Sequence, residues 1–215
     1  MRPQILIFGA GQVAETAAQC FETDGQGEIV AFAVDPAYHD KDCLMGKPVL
    51  TTDEATKQFP AETTRFYVAM GYRNHASAGW DAVQRFKGLG YRPASYVSPR
   101  ASVAKSARLG DHVFIMDFNV IQPEAVIGDG AALMPQNNIG HHAEIGEAAF
   151  LSGQVCISGA TKVGRGCFFG VQSGTADNVT IGDDAQIGAG AIVGADLPNK
   201  AVLVARPARR METAA

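Results

Sequence analysis

The sequence predicts a fold in two parts, a small α/β module followed by a parallel β-helix, and three observations carry that reading. From Val97 to Val193 an apolar residue recurs at every sixth position, interrupted only by Thr175. A mostly small residue stands two places before each one, as at Ala101, Ala125, Ala131, Ala143 and Ala149, and Gly often follows directly, as at Gly110, Gly128, Gly140 and Gly146. Before Val97 the pattern changes to apolar runs alternating with helix-like segments. A fixed short repeat marks a parallel β-helix, and strands alternating with helices mark a small parallel, Rossmann-like sheet.

In chain order, Gln4 to Phe8 reads as a buried strand, Gln12 to Phe21 as a helix and Ile29 to Val34 as a second strand ending at Asp35-Pro36. Thr52 is the expected cap of a short helix from Asp53 to Gln58. Arg65 to Met70 is the third strand, and His75 to Lys87 a long helix stopped by Gly88 and Gly90. These segments give an α/β domain over residues 1–95. The β-helix domain, with its tail, takes 96–215.

Within the repeat, each hexad makes a short flat strand and a corner. The branched residue points into the coil, the small residue fills the space beside it, and Gly permits the corner backbone. Three hexads close one triangular turn, so residues 18 apart stack at about 4.8 Å. A helix does not fit, because a period of six scatters the apolar residues around its axis.

Composition excludes several classes. The net charge of −4 argues against a nucleic-acid surface. Cys20, Cys43, Cys156 and Cys167 show no C-x-x-C spacing and read as reduced thiols, the usage expected in the cytoplasm. The opening Met1-Arg2-Pro3-Gln4-Ile5-Leu6-Ile7-Phe8 is too short for a signal peptide, and no later run approaches a membrane span.

Two places carry candidate chemistry. Gly9-Ala10-Gly11-Gln12-Val13-Ala14 fits G-x-G-x-x-A between a strand and a helix, with Asp35 at the end of the next strand, where a ribose would sit. Small residues let backbone approach a phosphate, and a helix N-terminus supplies amide donors. A tight turn holding no ligand is the alternative. The module is short for a full dinucleotide fold, which favours a nucleotide phosphate on an activated sugar. The second place is His141-His142. Ile139 and Ala143 point inward, so both histidines project outward at a corner, either as a solvated pair or as a working site. Stacking puts Gly159 one coil after His141 and Glu124 one coil before His142. A neutral imidazole can take a proton from an attacking amine or hydroxyl, Glu124 or Glu144 can fix its tautomer, and the Gly159 amide can face a developing oxyanion. Asn119 and Asn137, also 18 apart, read as a buried ladder.

The N-terminal module, the Tyr96-Val97-Ser98-Pro99-Arg100-Ala101 segment, the unbroken repeat and the ending together resemble the bacterial sugar acyltransferases of the hexapeptide-repeat superfamily, including UDP-4-amino-sugar N-acetyltransferases and sialic acid O-acetyltransferase-like proteins. The resemblance implies a left-handed coil and a homotrimer. It also implies a nucleotide-linked amino sugar held by the module, at Gly9, Ala10, Gly11, Gln12 and Asp35, and acetyl-CoA lying between neighbouring β-helices. It places the base on His141, after Ile139-Gly140. Val204-Ala205-Arg206-Pro207-Ala208-Arg209-Arg210-Met211 is similar to the family's G-x-P-A-K-x-M tail near the CoA adenine. Lys162, Arg165, Arg206 and Arg209 are candidates for CoA phosphates. Three departures stand out: His142 replaces the acidic residue that commonly follows the base, Phe150 replaces a second histidine, and Ala205 replaces a tail Gly.

The expected activity is acetyl-CoA-dependent N-acetylation of a nucleotide-activated amino sugar for surface glycan synthesis, by direct transfer in a ternary complex. Sialic acid-type O-acetylation and a non-catalytic nucleotide-binding β-helix remain the alternatives. A zinc enzyme like the β-helical carbonic anhydrases is disfavoured. It needs three convergent ligands, whereas adjacent His141 and His142 diverge and His112 stacks under Gly130.

Overall fold

The computed structural model describes residues 2–69 and 76–206. The expected Met70 and His75 therefore lie outside the described residues. In the module, β1 (Gln4–Phe8), α1 (Gln12–Thr23), β2 (Glu28–Val34), β3 (Cys43–Leu44), β4 (Lys47–Thr51), α2 (Thr52–Gln58), β5 (Thr64–Val68), α3 (Ala76–Gly88) and β6 (Arg92–Pro93) follow in turn. The sheet order is β3-β4-β2-β1-β5-β6. All pairings are parallel except β3 with β4, so the sheet is mixed at one edge. The sequence reading missed that hairpin because β3 has only two residues and no alternation to read.

Helix α2 starts one residue earlier than expected. Its cap is Thr51, which forms a capping box with Glu54. The Thr52 hydroxyl instead bonds the Val34 carbonyl and the Asp35 carboxylate, both at 3.2 Å. Two adjacent threonines thus divide the work of capping α2 and tying it to β2.

From Tyr96 onward the chain winds into a parallel β-helix of two-residue strands on three faces, with seven, six and five strands. Every rung up to Val193 pairs residues 18 apart, as in Ile121↔Ile139 and Ile145↔Val163. The last coil is two residues shorter, pairing Ile187 with Leu203. Ile115, Ile121, Ile127, Leu133, Ile139, Leu151 and Ile157 form a core with almost no exposed surface. The interruption at Thr175 is a buried polar rung: its Oγ1 accepts from the Ser158 amide at 3.0 Å, and its carbonyl accepts from the Ser158 hydroxyl at 2.6 Å. Asn119 and Asn137 form the expected ladder. Asn119 Oδ1 accepts from the Asn137 amide at 3.3 Å, and Asn137 Oδ1 from the Val155 amide at 2.7 Å.

One outward face is itself apolar. Tyr96, Phe114, Ala132 and Phe150 pack against Ile5, Ile7, Phe21 and Tyr67 of the module. At this seam His112 is buried, its ring stacked on Tyr67 with centroids 4.7 Å apart, and its Nε2 accepts from the Val68 amide at 2.8 Å. Burial, reinforced by Lys87, pushes its pKa down to about 3, so it is neutral at every ordinary pH.

Candidate active site

The Ile139 rung ends at a corner where Gly140, His141 and His142 leave one face for the next. Gly140 fits because its α-carbon lies against the following coil, where a Cβ would stand 2.6 Å from the Gly159 amide nitrogen. His142 has φ +58°, the left-handed conformation that turns the corner. Its amide donates to the Pro123 carbonyl at 3.1 Å, and the His141 amide to Gln122 Oε1 at 3.1 Å. Both imidazoles are exposed, as the outward assignment expects. The two side chains, expected to diverge, instead meet: their Nδ1 atoms are 3.2 Å apart, with rings nearly perpendicular at 83°, because the left-handed backbone at His142 turns the corner between them.

The other edge of the His141 ring lies over Gly159. A Cβ on that glycine would sit 2.8 Å from both Cε1 and Nε2 of His141. The predicted stacking of His141 on Gly159 is therefore realised, and the absence of a side chain at 159 is what admits the ring. The free oxyanion donor is not realised. The Gly159 amide donates to Asp177 Oδ1 at 2.8 Å. The same device recurs where Asp129 takes the Asp111 amide and Asp183 the Arg165 amide, so Asp177 closes a corner ladder.

The carboxylates expected near the base are also differently placed. Glu144 pairs with Lys162 at 3.5 Å. The Glu124 amide donates to Ser106 Oγ, and among the described residues no bond joins the Glu124 carboxylate to either histidine. Of the cations proposed for CoA, Lys162 is thus paired with Glu144, and Arg165 with Asp183 and Asp184 at 3.7 and 4.0 Å. These exposed pairs are worth little and exchange readily with phosphate. Arg206 is exposed at the end of the described chain, and Arg209 lies outside the described residues.

The module offers a second site. A cavity of about 870 Å³ opens at the carboxyl ends of β1 and β2, lined by Phe8, Gly9, Ala10, Gly11, Val34, Asp35, Tyr38, Asp40, Lys41, Asp81 and Arg85. Gly9 has φ +118°, and a Cβ there would meet the Ala69 carbonyl oxygen at 2.6 Å. Gly11 is the N-cap of α1 with open space above it. Gln12 opens the helix but is not among the residues lining the cavity. Asp35 binds Arg85 at 2.9 Å and Thr52 at 3.2 Å, both through Oδ1. Lys41 Nζ donates to the Ala10 carbonyl at 3.0 Å. The sequence reading missed Arg85, Lys41 and Tyr38, which reach the cleft from α3 and the β2–β3 loop without any motif. Among the described residues no cluster of three or more His, Cys, Asp or Glu is placed to hold a metal ion, and no helix is long and apolar enough to cross a membrane.

Residues 160–195 and 178–205 match the family model for the hexapeptide repeat of succinyl-transferase. Perosamine N-acetyltransferase from Caulobacter crescentus, solved with CoA and GDP-perosamine, is 26% identical, with 93% of this chain and 92% of that chain covered and a TM-score of 0.84. The chain carries hexapeptide repeats and is an acyltransferase. The acetyltransferase domain of PglB from Neisseria gonorrhoeae, solved with acetyl coenzyme A, shares the fold at 21% identity and TM-score 0.85, covering 98% and 100% of the two chains. No curated protein matches the acyltransferase sequence. Its repeats form the left-handed parallel β-helix of these structures.

Proposed function

We propose that the protein transfers an acetyl group from acetyl-CoA to the amine of a nucleotide-activated amino sugar, with His141 as general base. The observation that carries this is the His141 ring held over Gly159 at an exposed corner, its Nε2 edge unobstructed by any side chain at 159. Support comes from the perosamine N-acetyltransferase, solved with both CoA and GDP-perosamine.

In the reaction, the sugar amine attacks the thioester carbonyl and His141 Nε2 takes a proton from the nitrogen. The C–N bond forms, the C–S bond breaks, and the thiolate leaves as CoA after taking a proton. Acid–base catalysis of this kind contributes typically 10²–10⁴-fold. No covalent enzyme intermediate is required. The nucleotide belongs in the module cavity. There Gly9-Ala10-Gly11 and the N-terminus of α1, which begins at Gln12, suit phosphate, and Asp35 Oδ2 remains for a ribose hydroxyl. Lys162, Arg165, Arg206 and Arg209 are the proposed CoA contacts. The protein works as a homotrimer in the cytoplasm, with a neighbouring copy walling the CoA groove.

The test is CoA thiol release from acetyl-CoA with UDP-, GDP- and dTDP-linked amino sugars, comparing wild type with His141→Ala. Release on one amino sugar, reduced at least 100-fold in the variant, is expected. Undiminished release in His141→Ala would remove the base assignment, and no release with any sugar would remove the acceptor class.

A further inference from the structure

We propose that His142 is the positioning residue that fixes the working tautomer of His141, so that the base is a pair of imidazoles with no carboxylate. This rests on the acyl-transfer reading above, but it stands on a geometry of its own. The two Nδ1 atoms are 3.2 Å apart. A nitrogen–nitrogen hydrogen bond holds one proton, and a neutral imidazole carries one N–H. The rings must therefore hold opposite tautomers.

Only one of the two arrangements leaves His141 a base. Its Nε2 lies at Gly159, so Nε2 must be bare and Nδ1 protonated. His142 Nδ1 then accepts, and His142 keeps its own proton on Nε2. The reverse arrangement would protonate the His141 atom that faces the reacting groups.

The backbone explains how sequence neighbours come to share a bond. Along a strand, successive side chains point to opposite sides. The left-handed φ at His142 breaks that alternation, and the bonds from the His141 and His142 amides to Gln122 and Pro123 hold the corner.

The surrounding charges do not perform this task. Glu144 is paired with Lys162, Asp177 holds the Gly159 amide, and the Glu124 side chain on the preceding coil makes no described bond to either ring. A consequence separates an imidazole acceptor from a carboxylate one. Protonation of His142 places a hydrogen on its Nδ1 and abolishes the acceptor, whereas a carboxylate stays an acceptor far into acid. Transfer therefore requires both histidines neutral, and its acid limb involves two protons.

The experiment combines nitrogen-15 NMR of the histidine rings with the pH dependence of kcat/KM for wild type, His142→Asn and His142→Ala. Asn tolerates positive φ and offers an amide oxygen in place of Nδ1. Above pH 8, wild type should show His141 protonated at Nδ1 and His142 at Nε2. His142→Ala should lose the His141 preference and about 10- to 100-fold of kcat, the usual effect of removing an orienting partner. His142→Asn should recover most of the activity with a one-proton acid limb, against two protons in wild type. An unchanged His141 tautomer in His142→Ala, or one-proton limbs in both wild type and His142→Asn, would overturn the proposal. If wild type acetylates no sugar, the acetyl-transfer reading fails, while the ring spectra still decide whether His142 sets the tautomer.

Discussion

At the scale of single residues, Gly159 has a role that differs from its expected one. It serves by having no side chain, since its N–H is taken by Asp177 and its α-carbon lies under the His141 ring. Gly159→Ala separates fold from function for a physical reason. The added methyl meets the exposed end of a side chain, which can swing away at little cost. Stability should stay within about 0.5 kcal/mol of wild type, while displacement of His141, the proposed base, should cost on the order of 10²-fold in kcat/KM. Urea unfolding alongside thiol-release kinetics reads both. A large stability loss would show that the ring is locked rather than free to move. Gly9 is the opposite case, because its α-carbon faces the backbone oxygen of Ala69, which cannot swing aside.

Much of this site was legible in the chain. The six-residue period alone pointed His141 outward and put Gly159 beneath it. The stacking rule also contained two pairings that were left unread: Glu144 with Lys162 and Arg165 with Asp183 are each opposite charges 18 apart. The Nδ1–Nδ1 bond was beyond reach, because it depends on a left-handed backbone at a non-glycine residue and on two side-chain rotations. Arg85 and Lys41 were missed for another reason. They reach the module cavity across sequence distance, and no local pattern encodes that.

At the scale of elements, a few buried polar rungs satisfy backbone groups inside an otherwise apolar coil. Asn137 lies buried directly before the His141 corner, where its Oδ1 accepts the Val155 amide at 2.7 Å and its Nδ2 donates to the Met134 carbonyl at 2.6 Å. Asn137→Ala leaves the Val155 amide without its partner inside the coil, whereas the Met134 carbonyl keeps the Asn119 Nδ2 donor at 2.9 Å. One such group costs about 1–3 kcal/mol, so the variant should lose about that much in chemical denaturation, more than Gly159→Ala. A loss under about 1 kcal/mol would mean that water replaces the ladder. The α2 cap makes a contrasting test. Thr51→Ala should cost about 0.5–2 kcal/mol, and Thr52→Ala should spare the capping box because its hydroxyl serves β2 instead.

At the scale of the whole molecule, the module and the β-helix share one seam, and its apolar side was readable as large outward residues at Tyr96, Phe114 and Phe150, on rungs 18 and then 36 residues apart with Ala132 between the last two. Its polar element was not readable, since nothing in the sequence says that His112 is the histidine turned inward. That residue gives the seam a pH dependence with a definite sign. Its pKa is about 3 in the folded protein, against an ordinary value near 6.5. Between those limits the unfolded chain binds a proton that the folded chain refuses, so stability falls as pH drops below about 6.5 and is unaffected by this group above it. From pH 6.5 to 4.5 the contribution is roughly 2 kcal/mol. His112→Asn keeps a side chain suited to the φ of +58° and removes the titration. It should be less stable than wild type at pH 7, where the Tyr67 stack and the Val68 bond are lost, yet lose less on acidification. Urea unfolding of both proteins at pH 7 and 4.5 measures the difference. Parallel pH slopes would show that His112 takes up its proton in the folded state, and that the seam opens to water before the chain unfolds.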